Sequence, residues 1–174
     1  YATNLETPRA TGTQMSIIDV SFEMDYLLDI DRIMEACKPS TKLVSITTPH
    51  NPTGTVIHED IIYRLAMHCE ERGIYLLVDE TYRDLQYYGA AVPEYAANYG
   101  QKVVSVAYLS KDYGVPGIRT GWIITGDKFL YEQFLAAKEQ IMISNSVLDE
   151  AVAIQVLLQK EKVFRLVNYQ LEEK

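Results

Sequence analysis

The 174-residue sequence has little cysteine and no run of basic residues. It contains 16 lysines and arginines against 24 aspartates and glutamates, which gives a formal net charge of −8. Because binding to nucleic acid or to an anionic membrane needs clustered cations, we expect neither kind of partner.

The two cysteines, Cys37 and Cys69, each lie inside an apolar pattern with helical spacing. This setting favours buried free thiols over a disulfide and indicates a reducing, cytoplasmic location. No apolar run approaches the roughly 18 residues of a membrane span. Tyr1 opens directly into polar sequence, without the pattern of a signal peptide. We therefore expect a soluble, cytoplasmic protein, and we expect no metal site.

Apolar residues make up 48% of the sequence, enough for the core of one domain. Apolar runs and helical periods alternate from about residue 16 to residue 125, which predicts an α/β fold with a mainly parallel sheet. The predicted strands are residues 43–47, 74–78, 103–107 and 119–124.

The helices of the α/β region carry recognisable end signals. Asp29 can cap a short helix that ends before Pro39. Glu59 and Asp60 supply negative charge to the first turn of a second helix, which Gly73 can terminate. A loop spans residues 83–101.

Beyond Gly126 the sequence is helical to its end. One helix carries the apolar stripe from Phe129 to Ile141, and Ser146 can cap another that continues through Leu158.

Polar residues with no evident folding role follow the predicted strands, where α/β proteins bind ligands. The first group is the turn Pro49-His50-Asn51-Pro52-Thr53-Gly54, in which the prolines hold Asn51 rigidly. As an isolated string it is also compatible with an ordinary turn.

The second group is Asp79-Glu80-Thr81-Tyr82. A carboxylate at the end of a buried strand is costly without a partner, although Asp79 could simply cap the next turn.

The third group runs from Ser110 to Trp122 and contains two cations, Lys111 and Arg119, around a Gly-Val-Pro-Gly segment. Lysine forms imines with carbonyl compounds, and the guanidinium fork of arginine matches a phosphate. Either residue alone could be an ordinary surface cation.

Together the three groups resemble the large domain of the class I and II aminotransferases, which are fold-type I enzymes that use pyridoxal 5′-phosphate. The shared text is NPTG at 51–54, DETY at 79–82 and SKxYGxPGxRxGW at 110–122. The resemblance implies a three-layer αβα fold around a mainly parallel sheet. It also implies transfer of an amino group from an amino acid to a 2-oxo acid by a ping-pong mechanism, in a homodimer.

The resemblance assigns the catalytic roles. The lysine that matches Lys111 forms the internal aldimine with the cofactor and later carries the proton of the reaction. The aspartate that matches Asp79 pairs with the pyridine nitrogen and keeps it protonated.

Four positions match residues that bind the cofactor. Those matching Asn51 and Tyr82 donate hydrogen bonds to its phenolic oxygen, and Tyr82 is counted with the catalytic residues. Those matching Ser110 and Arg119 bind its phosphate.

Some positions depart from the common family text or stay undecided. Tyr108 stands where many members have Ser or Gly, so no phosphate contact is carried over to it. Thr120 replaces a small aliphatic residue, and we expect little cost. For His50 and Ser105 a supporting or packing role is favoured over catalysis.

The sequence lacks other parts of the family pattern. A glycine-containing phosphate loop and a ring-stacking aromatic would precede Tyr1, and a small domain with the arginine that holds the substrate carboxylate would follow Lys174. We therefore expect the chain to be the central portion of a large domain, with weak turnover by itself. Residues 1–142 are assigned to the partial cofactor-binding domain, and residues 143–174 to helices leading toward the absent small domain.

Two other functions stay open. The same lysine, aspartate and arginine serve carbon–sulfur lyases, decarboxylases and cyclising enzymes that use this cofactor. An aminotransferase-like sensor domain of a transcriptional regulator is a second alternative, which a DNA-binding module upstream would reveal.

Overall fold

The structure is a computed structural model that describes residues 2–85 and 92–172, and the side chains of residues 4–85 and 92–167. The strands are β1 (Leu43–Thr47), β2 (Tyr75–Asp79), β3 (Val103–Tyr108) and β4 (Gly121–Thr125). The helices are α1 (Ala2–Ala10), α2 (Ile30–Ala36), α3 (Glu59–Glu71), α4 (Leu109–Asp112), α5 (Lys128–Ile141), α6 (Val147–Leu158) and α7 (Lys160–Glu172).

The four strands form one sheet in the order β1-β2-β3-β4. The pairs β1/β2 and β2/β3 are parallel, whereas β3 and β4 are antiparallel. Asp79 pairs with Thr47 on one side and with Val106 on the other, and Tyr108 pairs with Gly121. The ends of β1, β2 and β3 therefore share one edge of the sheet with the beginning of β4. The predicted α/β fold with a mainly parallel sheet is confirmed.

Helices α2 and α3 pack on one face of this sheet and form the main core. Asp29 accepts the backbone N–H groups of Asp31 and Arg32 at the start of α2, and Gly73 ends α3 with a φ of 67°. Both end signals were predicted. The core residues with less than one-tenth of their surface exposed are Ile30, Ile33, Cys37, Val44, Ile46, Ile62, Leu65, Ala66, Cys69, Ile74, Leu76, Val78, Ala96 and Val103.

The opposite face of the sheet is more open. Leu43 on β1 and Ile123 on β4 are each about half exposed, whereas Val44, which follows Leu43 on the core side, is buried. Helix α5 starts on this side: its N-cap Asp127 accepts a hydrogen bond from the Tyr75 hydroxyl at 2.6 Å and another from the Leu130 N–H at 3.1 Å.

A second, smaller core lies where the C-terminal helices meet α4. Leu109, Tyr113 and Ala153 are buried there, and the Tyr113 and Phe164 rings lie 4.9 Å apart. Ser146 caps α6 through the Asp149 N–H, as predicted. The division after residue 142 falls between α5 and α6 and stays a prediction.

The structure differs from the sequence prediction in several elements. Asp79 is the last residue of β2 rather than the first after it, and β4 begins at Gly121, so that Arg119 precedes it. Helix α1 was not predicted, because it contains Pro8 and has no apolar stripe. The four-residue α4 was missed because it is too short for a helical period. Residues 86–91 of the predicted loop lie outside the described residues, and 96–99 of that loop form a 3₁₀ turn.

Cys37 and Cys69 are buried free thiols, as expected. Burial raises the pKa of Cys69 to about 12, so its thiol stays protonated. Among the described residues, no helix has both the length and the apolarity to cross a membrane.

Candidate active site

Four segments with the polar motifs meet at one edge of the sheet. Asn51 lies shortly after β1, Tyr82 shortly after β2 and Lys111 shortly after β3, and Arg119 lies just before β4. Because β4 is antiparallel to β3, its beginning lies beside the end of β3. This explains how residues from four separate stretches reach one place, at the edge where open α/β sheets bind ligands.

The turn after β1 is fixed by its own hydrogen bonds. The His50 N–H donates to the Thr55 carbonyl at 2.8 Å, and its ring Nδ1 lies 2.8 Å from the Thr53 hydroxyl. The bonds Thr48–Pro49 and Asn51–Pro52 are both cis. Burial lowers the pKa of His50. His50 therefore supports the turn, which agrees with the supporting role that the sequence favoured.

This turn brings Asn51 to Tyr82. The Asn51 amide Nδ2 donates to the Tyr82 hydroxyl oxygen at 3.3 Å. With its oxygen accepting that bond, Tyr82 keeps its own hydrogen to donate elsewhere.

Asp79 ends β2 with its two carboxylate oxygens in different situations. Oδ1 accepts the Thr81 backbone N–H at 3.1 Å and the Thr81 hydroxyl at 2.5 Å. Within the described residues, Oδ2 has no hydrogen-bond partner. The capping role left open from the sequence is thus real, and it uses only one oxygen. The other can accept a further donor.

The third motif brings Ser110 and Arg119 together. Arg119 Nη1 donates to the Ser110 hydroxyl at 3.2 Å and to the Pro116 carbonyl at 2.9 Å. Ser110 is buried, whereas Arg119 is exposed. These contacts hold one guanidinium nitrogen and leave the rest of the fork available for a ligand.

Lys111 is exposed on α4, and its ammonium group has no hydrogen-bond or ion-pair partner within the described residues. Its neighbours Ser110 and Asp112 are buried and anchor the helical turn from below. Gly114, with a φ of 64°, ends this turn in a conformation that favours glycine. Lys111 is therefore held on a fixed turn, and no described residue binds its amine.

The pairing of β3 with β4 depends on Gly121. A Cβ atom at this position would lie 2.7 Å from the Cβ of Tyr108 and 2.8 Å from the Ala107 carbonyl oxygen. Any larger residue would push the start of β4, and Arg119 with it, away from the end of β3. Tyr108 itself is half-buried, and Thr120 keeps a buried hydroxyl that lacks a partner among the described residues.

A buried polar layer beneath the site was not found from the sequence. Glu80 accepts the Ala96 N–H at 3.3 Å and lies 3.9 Å from Arg83, whose guanidinium stacks on the Tyr95 ring at 3.7 Å. Burial raises the pKa of Glu80, and Arg83 opposes that rise. The strand alternation was an available signal, because Glu80 continues the face of Val78, which points into the core.

Ser105 belongs to this layer rather than to the reactive groups. It is fully buried on β3, and its hydroxyl accepts the Ala97 N–H at 2.9 Å. The packing role favoured from the sequence agrees with this geometry.

The unmatched groups at the edge fit pyridoxal 5′-phosphate. The free Asp79 oxygen suits a protonated pyridine nitrogen, and the Tyr82 hydroxyl suits the phenolic oxygen. Ser110 and Arg119 suit the phosphate, and the Lys111 amine suits the aldehyde. Each of these groups lacks, within the described residues, the partner that the cofactor would supply.

Comparison with known proteins gives consistent matches. The family profile "Aminotransferase class I and II" matches residues 6–168. A histidinol-phosphate aminotransferase of Caldanaerobacter subterraneus is 31% identical over 155 residues, which are 87% of this chain and 42% of that protein. The aromatic aminotransferase ISS1 of Arabidopsis thaliana is 28% identical over 130 residues, 74% of this chain and 32% of that protein.

Solved structures agree. A PLP-dependent aminotransferase from Streptococcus suis superimposes with a TM-score of 0.90 at 28% identity, covering 99% of this chain and 45% of that one. A Thermus thermophilus aspartate aminotransferase mutant, at 22% identity and a TM-score of 0.86, shares the fold. The chain thus spans less than half the length of these relatives. Because the family profile matches nearly the whole chain, the chain belongs to the class I and II aminotransferases, a family whose members use pyridoxal phosphate.

Proposed function

We propose that the protein transfers an amino group from an amino acid to a 2-oxo acid with pyridoxal 5′-phosphate held at this edge of the sheet. The observation that carries the proposal is that an arginine–serine pair lies at the same edge as a lysine amine and a carboxylate oxygen that have no partner among the described residues. When bound, the cofactor supplies a reactive carbonyl and a ring that accepts electrons from the α-carbon of the amino acid.

Lys111 is the nucleophile and the proton carrier in this proposal. Its amine has no competing partner within the described residues, so it is available to attack the cofactor carbonyl. With the cofactor and an amino acid bound, Lys111 Nζ would accept the proton of the substrate α-carbon and would donate it to a different carbon.

Asp79 holds a proton on the pyridine nitrogen. Two hydrogen bonds from Thr81 fix its Oδ1, and they thereby also fix the orientation of its Oδ2. A negative charge in that position favours the protonated, more electron-accepting ring.

Tyr82 and the phosphate-binding pair orient the cofactor. The Asn51 amide donates to the Tyr82 oxygen, so the Tyr82 hydroxyl hydrogen would be available to the phenolic oxygen of the cofactor. The Ser110 hydroxyl and the Arg119 guanidinium, already in contact, would both donate charge-assisted hydrogen bonds to the phosphate.

The two substrates use this one site in turn, which is a ping-pong mechanism. The relatives are named for histidinol phosphate, aromatic substrates, and aspartate or prephenate, so we propose only the class: an amino acid as donor and a 2-oxo acid as acceptor. We also propose that the working enzyme is a homodimer and that it works in the cytoplasm, the latter in agreement with its free buried thiols.

The test of this function is covalent attachment of the cofactor. The chain is incubated with pyridoxal phosphate, reduced with borohydride and digested, and the labelled lysine is identified by mass spectrometry. We expect the label at Lys111 and its loss in Lys111→Ala. Lys128→Ala, at an exposed position on α5, is the matched control and keeps the label. A label on other lysines with Lys111 unmodified would contradict the proposal.

A second assay separates the reactions that share this site. Conversion of an amino acid to its 2-oxo acid that depends on an added 2-oxo acid supports the transaminase. Release of pyruvate and ammonia from a cysteine-type substrate, without an acceptor, would identify a lyase instead. Covalent attachment with neither reaction, together with a DNA-binding module upstream of this chain, would favour a sensor domain.

A further inference from the structure

Asp84 joins the two segments that carry Tyr82 and Lys111. The Asp84 backbone N–H donates to Asp112 Oδ2 at 3.0 Å, and the Asp84 carboxylate accepts the Tyr113 hydroxyl at 3.2 Å. We call these two hydrogen bonds the Asp84 tie. They link the segment after β2 directly to the end of α4.

The tie is short along both chains. Asp84 lies two residues after Tyr82, and its partners Asp112 and Tyr113 are the two residues that follow Lys111. Few rotatable bonds therefore separate the tie from the two reactive side chains. The hydrogen bonds fix the Lys111 turn against the Tyr82 segment at the point where their relative position matters.

The tie is also anchored in the interior. Asp112 is 2% exposed and Tyr113 is 6% exposed, and the Tyr113 ring packs against Phe164 of α7. The turn that carries Lys111 is thus held by two contacts: the packing of Tyr113 against α7, and the hydrogen bonds to Asp84. Lys111 itself, between buried neighbours, stays exposed.

Burying the Asp112 carboxyl costs more folding free energy than a purely structural contact would need. Its Oδ1 is buried and has no hydrogen-bond partner among the described residues. A buried carboxyl that is only partly paired destabilises the folded state. The facing charges act in opposite senses, since Asp84 repels a negative charge on Asp112 and Arg83 attracts it. Sites that keep such a cost are commonly ones where geometry serves function.

We propose that Asp112 is a positioning residue, which through the Asp84 tie sets the Lys111 amine at the distance from the Tyr82 segment that covalent attachment requires. This inference rests on the proposed function, because it gives Lys111 the role of the attached lysine. Asp112 acts through Lys111 and does not touch the cofactor.

The test compares two ligands on variants of the chain. Pyridoxal phosphate can bond to Lys111, whereas pyridoxamine phosphate carries an amine in place of the aldehyde and cannot. In Asp112→Ala the acceptor for the Asp84 N–H is lost. We expect borohydride-trapped Lys111 to form about tenfold more slowly, as the loss of one hydrogen bond predicts. We expect the affinity for pyridoxamine phosphate to stay within about threefold of wild type.

Asp112→Asn is the conservative variant. Its amide oxygen can accept the Asp84 N–H, so trapping at Lys111 should return to within about threefold of the wild-type rate. Hydrogen exchange at residues 82–85 should be faster in Asp112→Ala and unchanged in Asp112→Asn. Tyr113→Phe removes only the hydrogen bond from the Tyr113 hydroxyl to Asp84 and keeps the ring packing. We expect it to slow trapping at Lys111, but by less than Asp112→Ala does. This variant decides the matter if Asp112→Ala does not fold.

Three different outcomes would overturn the positioning role of Asp112. Equal losses of trapping and of pyridoxamine phosphate affinity would show a general structural defect and overturn the positioning role. Wild-type trapping rates in both Asp112→Ala and Tyr113→Phe would also overturn it, with the proposed function intact. If wild type itself is never trapped at Lys111, the proposed function fails, and this inference fails with it.

Discussion

At the scale of single residues, the candidate site consists of side chains that use only part of their hydrogen-bonding capacity within the described residues. Asp79 has one oxygen bound by Thr81 and one without a partner in the described residues, and Arg119 uses one nitrogen of its guanidinium for Ser110 and Pro116. In each case the bound half fixes the direction of the other half. Such preorganisation reduces the entropy lost when a ligand binds.

Arg119 gives a prediction at this scale. Replacing Arg119 with Ala should weaken the binding of pyridoxal phosphate by about 10- to 100-fold, the size expected for charge-assisted hydrogen bonds to a phosphate. Binding of pyridoxal, which has no phosphate, should change little. Both affinities can be measured by fluorescence titration.

Arg64→Ala is the matched control, because Arg64 is an exposed arginine on α3 outside the site. It should leave both affinities unchanged. Equal weakening of pyridoxal and pyridoxal phosphate in Arg119→Ala would count against a phosphate contact.

At the scale of elements, α4 is a four-residue helix that depends on its docking. Too short to be stable alone, it is held by the buried side chains of Leu109, Asp112 and Tyr113. Burial raises the pKa of Asp112 to about 7, while the hydrogen bond from the Asp84 N–H opposes the rise and the Asp84 charge adds to it by less. The docking of α4 is therefore sensitive to pH.

The folded state holds the Asp112 proton more tightly than the unfolded state, whose pKa is near the ordinary value of 3.8. Asp112 therefore contributes a stability that is present below about pH 4 and is lost as the pH rises to about 7. The Asp112→Asn variant has no such proton. Relative to wild type it should gain stability across this range, by at most about 4 kcal/mol, and the difference should level off above it.

Urea unfolding of the two proteins between about pH 5 and pH 8 measures this difference. Groups other than Asp112 titrate in both proteins and cancel in the comparison. A difference in the free energy of unfolding that does not change with pH would mean that Asp112 titrates near its ordinary value in the folded protein.

At the scale of the whole molecule, apolar residues near the junction of α5 and α6 are exposed. Ile143 is 87% exposed and Leu148 is 79% exposed. Clustered exposed apolar side chains favour association, since each one that becomes buried contributes roughly 1.5–3 kcal/mol. We expect the 174-residue chain to self-associate with increasing concentration, and the paired substitution Ile143→Asp and Leu148→Asp to weaken this at least about tenfold.

Sedimentation velocity over a range of concentrations checks this expectation. Gln140→Asp on α5 and Gln155→Asp on α6, both at exposed polar positions, add the same charge without removing apolar surface. Weakening by the glutamine pair as strong as that by the apolar pair would show that charge alone is responsible. A wild-type chain that stays monomeric would contradict the prediction directly.

Much of the fold and site was predictable from local patterns. Apolar runs predicted β1 to β4 with small errors at their ends, and Asp29, Gly73 and Ser146 marked helix ends as expected. The candidate site residues were singled out through three short motifs, because turn chemistry and rare polar residues leave a signature in adjacent positions. Helix α1 and α4 were missed, since neither has a periodic stripe long enough to detect.

The sequence by itself determined which chemical groups are present and that they follow successive strands. Only the tertiary structure decided which groups meet: that Asn51 reaches Tyr82, that Arg119 reaches Ser110, and that Asp84 reaches Asp112. These contacts join residues brought together by strand pairing and by the antiparallel turn into β4. Local propensity acts over a few neighbouring residues, whereas such pairings depend on how the whole sheet and its covering helices pack.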